Sequence, residues 1–215
     1  MKGGKGLSVL DNPFTHVKIR FMSLGQERIL TSLRVISGTL RGKKLFSGKG
    51  RSLRPTSDRV RESVFDILQG IIEGRRVLDL FAGTGAMGIE ALSRGALAAV
   101  FIENHPSSLD ALRRNLAACR LEGVSEVLAK EAEEGLRFLE GRGGDFEFIF
   151  LDPPYGKGLA RKTVGKLAES ALLKPETLIV AEHSPVEEVE EIFPLERVDF
   201  RKYGSTRISF FRKAG

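Results

Sequence analysis

The sequence predicts an α/β fold: a doubly wound, mostly parallel sheet that ends in an antiparallel hairpin. Three observations carry this expectation. An apolar run, Arg76 to Leu80, leads straight into a glycine-rich turn and then a helical pattern, in the stretch Val77-Leu-Asp-Leu-Phe-Ala-Gly-Thr-Gly-Ala-Met-Gly88. From Arg75 onward, strand-length runs alternate with helical patterns as βαβ units require. Two strand-like runs about Gly204 close the chain.

Composition sets the outer limits. A chain of 215 residues holds one good-sized core with an appendage, and hardly two full domains. No apolar run is long enough to span a membrane, and Met-Lys-Gly-Gly-Lys-Gly lacks the apolar core of a secretory signal. The single cysteine, Cys119, excludes an internal disulfide framework, fits a reducing cytoplasm, and is expected to be structural. Three scattered histidines and no Cys/His cluster predict no metal site.

Taken in order, residues 1–32 show no clear period and form an extension without an assigned role. Residues 33–70 follow as a basic segment. Leu33-Arg-Val-Ile-Ser-Gly38 reads as a strand, pairing with 39–46 as a hairpin arm that bends at Gly42 and Gly48. After Pro55, a helix capped by Thr56 or Ser57 carries the apolar stripe Val60, Val64, Phe65, Ile67 and Leu68, with Arg59 and Arg61 on other faces. The formal charge of the chain is +6, yet from Arg34 to Arg61 nine bases face one acid, Asp58, so this stretch alone carries +8. Such asymmetry is the footprint of a phosphate-backbone partner. Its candidate contacts are Arg34, Arg41, Lys43, Lys44, Arg51, Arg54, Arg59 and Arg61.

Residues 71–215 make the main domain. The run Arg76–Leu80 is its first strand. In the helix after the glycine turn, Met87, Ile89, Ala91 and Leu92 face inward, with Glu90 and Arg94 on the polar side. Further strands are expected at Ala98–Glu103, Ser125–Ala129, 146–152 and 178–182, and the closing hairpin at 195–203 and 206–211. Between them lie helices opened by Pro106, following Glu131, and around 164–171.

Two constellations carry chemistry. Gly83, Gly85 and Gly88 let backbone approach a ligand without a Cβ in the way. A G-x-G-x-x-G pattern fits a dinucleotide or S-adenosylmethionine (SAM), and Asp79 separates the two. A carboxylate at the loop mouth repels a pyrophosphate, whereas SAM carries an ammonium and a sulfonium and no phosphate. Glu103, at the end of the second strand, can accept ribose hydroxyls. The candidate cofactor contacts are Asp79, Phe81, Ala82, Gly83, Thr84, Gly85, Gly88, Glu103, Asn104, Glu131, Ala132 and Asp152.

The second constellation, Asp152-Pro153-Pro154-Tyr155, ends the strand expected beside the glycine-loop strand, so both face one crevice. Two prolines remove two N–H donors and stiffen the backbone. What remains is an acceptor-rich edge suited to an exocyclic amine. Such an amine is a poor nucleophile because its lone pair is delocalised into the ring. Holding both N–H bonds and placing the nitrogen in line with a sulfonium methyl localises that lone pair, and positioning of this kind supplies up to about 7–11 kcal/mol. Tyr155 offers a ring for stacking a base that has been extruded or presented single-stranded.

These motifs bear a family resemblance. The chain resembles the bacterial 16S rRNA guanine-N2 methyltransferases of the RsmD type. The likeness runs through Arg34-Val-Ile-Ser-Gly38, Arg54-Pro-Thr-Ser-Asp-Arg-Val-Arg-Glu62, Val77–Gly85, Phe101-Ile-Glu103 and Phe148-Ile-Phe-Leu-Asp-Pro-Pro-Tyr155. The resemblance implies a class I SAM-dependent methyltransferase fold, a Rossmann-like sheet of seven strands with its C-terminal antiparallel hairpin. It implies SAM as cofactor, 16S rRNA within the small (30S) subunit or an assembly intermediate as partner, and a monomeric cytoplasmic enzyme with no metal. Asp79, the loop glycines and Glu103 would hold SAM, Asp152 to Tyr155 the guanine, and the basic arm the RNA. Two departures stand out. Glu131-Ala132 replaces the Asp or Asn followed by Ala that many relatives use for the adenine, and residues 1–32 precede the usual start of the family.

A cytosine-C5 mechanism needs a thiolate, and Cys119 lies on a helix far from any Pro-Cys element. An N6-adenine methyltransferase shares the Asp-Pro-Pro-Tyr logic and stays open. So does a non-catalytic RNA-binding assembly factor that keeps a SAM fold, although intact glycines and Asp152 argue against it.

Overall fold

A computed structural model of the chain describes residues 33–47, 55–187 and 189–214, with the backbone alone of residues 55–57. Arg51, Arg54, Gly48 and the extension 1–32 lie outside the described residues.

Seven strands form one sheet: β1 (Arg76–Leu80), β2 (Ala98–Glu103), β3 (Ser125–Ala129), β4 (Phe148–Leu151), β5 (Leu178–His183), β6 (Leu195–Tyr203) and β7 (Thr206–Lys213). Their order is β3-β2-β1-β4-β5-β7-β6. β1 to β5 pair in parallel and β7 runs antiparallel between β5 and β6. The strands expected in residues 71–215 are all present, β4 shorter at both ends and β7 longer than the sequence indicates. Helices α1 (Pro55–Ile67), α2 (Ala86–Ser93), α3 (Pro106–Cys119), α4 (Ala132–Arg142) and α5 (Leu159–Ala168) cover the two faces.

The run Phe-Ile-Phe-Leu of β4 shows why the sheet is two-sided. Phe148 and Phe150 enter the core beneath α1, α2 and α3, and Ile149 and Leu151 enter the core beneath α4 and α5. Successive side chains on a strand point to opposite faces, so a strand covered on both sides must be apolar throughout. Phe65 of α1 sits 5.5 Å from Phe150, centroid to centroid, which seats α1 on the first face. Cys119 is buried at the end of α3, a packing role as expected.

Three local expectations are corrected. The helix α1 begins at Pro55 itself, whose fixed φ suits a first turn. Thr56 and Ser57 therefore lie inside it rather than at its cap. The segment 33–46 is a hairpin whose arms pair only briefly, Val35 and Leu45 N–H donating to the Lys43 and Leu33 carbonyls about the Arg34–Lys44 pair, too short a ladder for a strand of its own. The reason is where its amides go. Ile36 and Ser37 N–H donate to the two carboxylate oxygens of Glu90 at 2.7 and 3.0 Å, and Thr39 and Leu40 N–H donate to Ser93 of α2. Gly38 makes this docking possible. It holds φ +80°, and a Cβ there would stand 1.9 Å from the Ser93 carbonyl oxygen.

The third correction concerns charge. Glu90, expected on the polar side of α2, is fully buried, and Arg61, expected exposed, is 4% exposed. Arg61 donates to the Arg34 carbonyl at 2.6 Å and to Asp58 at 3.0 Å, and its Nε lies 3.9 Å from Glu90. Arg94 bonds Glu90 at 2.8 Å from the other side. A buried carboxylate is tolerable because two guanidinium groups and two amides surround it. Burial pushes the Arg61 pKa down, an effect that Asp58 and Glu90 oppose. Arg61 is thus a fastener of the arm and no part of its exposed basic surface. Glu90→Ala removes the buried carboxylate shared by Arg61, Arg94 and two amides of the arm, and is expected to cost about 3–5 kcal/mol, measured as a shift in denaturant midpoint. A cost under about 1 kcal/mol would mean that apolar contacts alone seat the arm.

Candidate active site

β1 and β4 are adjacent parallel strands, with Asp79 opposite Phe150 and Leu80 opposite Leu151. The chain reverses its winding between them, so a crevice opens at their carboxyl ends. Into it run the turn after β1 and the Asp152-Pro153-Pro154-Tyr155 segment after β4. Asp79 and Glu103 continue the rows of Val77 and Phe101 on one sheet face, and Asp152 keeps the parity of Phe150, which belongs to the same core. The three carboxylates therefore gather at one rim.

The glycine turn is held by two of these acids. Asp79, 2% exposed, accepts the Gly88 N–H at 2.9 Å, in the first turn of α2. Glu103 accepts N–H bonds from Gly83 at 2.7 Å, Asn104 at 2.9 Å and His105 at 2.8 Å. The turn itself is unusual backbone: Phe81 at φ 60°, Gly83 at 58° and Gly85 at 81°. A phenylalanine in the left-handed region costs of order 1–3 kcal/mol, strain of a kind that concentrates at ligand sites. Gly88 is required for packing, since a Cβ there would lie 2.3 Å from the Phe101 ring.

The Asp79 carboxyl is pushed well above its ordinary range, chiefly by burial and further by the charges of Asp152 and Glu103, against the Gly88 bond. A site of this kind favours a cationic group over an anion.

On the β4 side, Pro153 is buried, Pro154 exposed, and Asp152 and Tyr155 half-buried. The Tyr155 hydroxyl donates to Glu182 of β5 at 2.6 Å and lies 3.4 Å from the Thr206 hydroxyl of β7. Burial and the Glu182 charge push its pKa up, so the hydroxyl stays protonated and the ring stays tied to the sheet. Neither Glu182 nor Thr206 carried a signal in the sequence; the parallel pairing of β5 with β4 brings the first here, and the antiparallel register of β7 on β5 brings the second.

Beyond β3, Glu131 precedes α4 as its N-cap residue and accepts a hydrogen bond from the Asn104 side chain, while Ala132 opens α4. Glu131, Ala132 and Phe81 line a cleft of about 520 Å³ that continues between α4 and α5. A smaller cavity of about 330 Å³, around Arg76 and Arg142, opens at the opposite edge of the sheet, away from all of these groups.

The basic arm meets the glycine turn through a residue that the sequence did not single out. Asn115 of α3 is fully buried. Its Oδ1 accepts the Phe46 N–H at 2.6 Å, and its Nδ2 donates to the Phe46 carbonyl at 3.1 Å and the Thr84 carbonyl at 2.9 Å. A lone amide among Leu112, Leu116 and Cys119 on the apolar side was the available clue, since a buried amide requires partners. Of the other expected RNA contacts, Arg34, Arg41, Lys43, Lys44 and Arg59 are exposed, and Arg61 is not.

Residues 33–212 match the family model "Conserved hypothetical protein 95". The chain belongs to this family. "Ribosomal RNA small subunit methyltransferase D" of Escherichia coli (strain K12) is 39% identical over 150 residues, which are 70% of this chain and 74% of that one. "Putative rRNA methyltransferase YlbH" of Bacillus subtilis (strain 168) is 36% identical over 184 residues, covering 85% of this chain and all of that one. The solved structure of "Putative methyltransferase yhhF" from Escherichia coli superposes with a TM-score of 0.74 at 29% identity, over 85% of this chain and 98% of that one. The family therefore agrees with the RsmD-type resemblance of the motifs, and the seven-stranded sheet is the SAM-dependent methyltransferase fold.

The raised Asp79 pKa has a sign that can be tested. The fold favours the neutral carboxyl, so its contribution is full below the ordinary value of 3.8 and is lost as pH rises toward the raised one. Asp79→Asn keeps an acceptor for Gly88 and cannot ionise. The unfolding free energy of the ligand-free wild type, minus that of the variant, is expected to fall as pH rises through this window. Parallel curves from pH 4 to 8 would show that the carboxyl is not perturbed.

Proposed function

We propose that the protein transfers the SAM methyl group to the exocyclic N2 amine of a guanine in 16S rRNA, presented on the small ribosomal subunit or an assembly intermediate. The observation that carries this reading is the in-register pairing of β1 and β4. It sets an acid-lined glycine turn beside a stiff Asp-Pro-Pro-Tyr edge. The names of the relatives, ribosomal RNA methyltransferases, supply the substrate class.

The residues fit the cofactor. Asp79, buried and with its pKa raised by burial and by neighbouring carboxylates, suits an ammonium. Glu103 has accepted three N–H bonds and keeps capacity for a ribose hydroxyl. The backbone of Phe81, Ala82, Gly83, Thr84 and Gly85 forms the floor, and Asn104, Glu131 and Ala132 border the adenine end. When bound, SAM supplies an electrophilic methyl on a sulfonium. Asp152 and the Pro153 carbonyl hold the guanine N–H bonds, which orients the nitrogen lone pair. Tyr155, fixed by Glu182, gives the base a face to stack on. Methyl transfer would leave the amine with a surplus proton, which the Asp152 carboxylate or water would accept. Exposed Arg34, Arg41, Lys43, Lys44 and Arg59 attract the phosphate backbone, and the chain acts as a cytoplasmic monomer without a metal.

The test uses labelled SAM with small subunits that lack the modification, followed by nucleoside mapping of the labelled rRNA. N2-methylguanosine at one position is the expected product. Labelled N6-methyladenosine would overturn the base assignment, and an absence of label would favour a binding factor. Asp152→Ala is expected to lower kcat/KM by about 100-fold or more through lost positioning, with RNA binding retained. Full activity in that variant would remove Asp152 from the reaction.

A further inference from the structure

The proposed RNA contacts all fall within residues 34–59, on the arm and the start of α1, yet the charge of the chain is divided into more than two parts. Residues 62–194 hold 14 basic and 23 acidic residues. Residues 195–213, the β6–β7 hairpin, hold six basic and two acidic ones. Toward its turn the hairpin becomes wholly basic: Arg201, Lys202 and Arg207 fall within 200–208 without an acid.

The topology brings that end to the active rim. β5 runs parallel to β4, with Ala181 opposite Leu151, so it ends beside Asp152. β7 is antiparallel to β5, with Arg207 opposite His183, and Tyr203 pairs with Thr206 across the turn. The Gly204 turn therefore stands at the carboxyl edge. Thr206 lies within 3.4 Å of the Tyr155 hydroxyl, which ties the turn to the Asp-Pro-Pro-Tyr segment. Tyr203 packs against the core on the face that also carries α1 and the arm. Arg201 and Lys202 are exposed. Arg207 instead donates to the carbonyls of Gly204 and Thr206 at 2.8 and 3.0 Å and braces the turn.

We propose that the turn end of the β6–β7 hairpin is a second RNA-backbone contact, with Arg201 and Lys202 holding phosphates on the side of the crevice away from the arm. The inference rests on the proposed reaction and deepens it. RNA would be gripped on both sides of the target nucleotide, with the acidic body repelling phosphate elsewhere. Held at two places, the strand has less freedom to carry the extruded base out of line. Arg201 shares Asp199 at 2.9 Å, a half-exposed pair that a phosphate can displace. Basic side chains on an edge strand also discourage unwanted sheet pairing, a role that would leave RNA affinity untouched.

The experiment compares wild type, Arg201→Gln/Lys202→Gln and Arg41→Gln/Lys43→Gln for binding to naked small-subunit RNA across a salt series, with S-adenosylhomocysteine affinity measured by calorimetry. The hairpin variant is expected to bind RNA roughly 5–30-fold more weakly at moderate salt. Its slope of log affinity against log salt should shrink by about 1.5, for two lost phosphate contacts. Affinity for S-adenosylhomocysteine should be unchanged. An unaltered slope in the hairpin variant, beside a reduced one in the arm variant, overturns this inference and leaves the proposed function standing. A loss seen only with assembled subunits points to a ribosomal protein and also overturns it. Wild type that neither binds RNA nor methylates subunits removes the functional reading and this inference together.

Discussion

The pairing of β1 with β4 is the constraint on which the molecule depends. Each strand is followed by a chemically distinct segment, and the parallel register delivers both segments at the same height on the rim. No side chain has to reach across the molecule to join them. The requirement falls instead on the core beneath. β4 must be apolar on both faces to lie at the centre of the sheet, and β1 must be apolar up to Asp79. Shortening either strand by one residue would turn its terminal acid to the other face, because side chains alternate along a strand.

The arm is held to that frame by polar contacts as well as by Leu33, Val35 and Leu45, which enter the core. Glu90 and Ser93 occupy the amides that would otherwise have continued a strand ladder. Asn115 then joins the end of the arm to the glycine turn through a single side chain whose three hydrogen-bonding groups are all engaged. Such a network has one geometry, whereas an apolar contact tolerates sliding. On the proposed reading, the position of the RNA-contacting arm relative to the cofactor turn is thereby fixed before either ligand arrives.

Much of this was legible in the sequence because periodicity reports burial. Phe-Ile-Phe-Leu, short, apolar throughout and rich in aromatics, fits a strand covered on both sides, and the glycine spacing after Val77-Leu-Asp-Leu fits a tight turn into a helix. Arg61 and Glu90 were misread for a common reason. Patterns treat a charged residue as a solvent marker, whereas here charges on two distant segments are each other's partners across 29 positions of chain. Asn115 and Glu182 were missed because their partners come from other elements, and one sequence does not say which elements meet. The hairpin 33–46 looked like a strand pair for a related reason. Its alternation is genuine and its ends do pair with each other, but helix α2 takes the amides of residues 36, 37, 39 and 40, so the ladder stops short.

The distribution of charge follows one logic from the surface to the rim. At physiological salt the screening length is about 8 Å, so a basic segment attracts phosphate only over short range and must lie near where the RNA is to be used. The exposed bases of the arm meet that condition through Phe46, bonded beside Thr84. Three carboxylates stand at the crevice itself, and Asp79 is so poorly solvated that its ionisation is already opposed. A phosphate entering there would face like charge at close range, in surroundings that screen poorly. A neutral base carrying amine hydrogens would face acceptors. On the proposed reading, the same polyanion is attracted by its backbone at the periphery and admitted at the centre only as a base, which demands extrusion of the nucleotide. Selectivity for the base over its phosphate would then arise from the placement of acids, two of which also hold the turn together, before any contact with the atoms that distinguish one base from another.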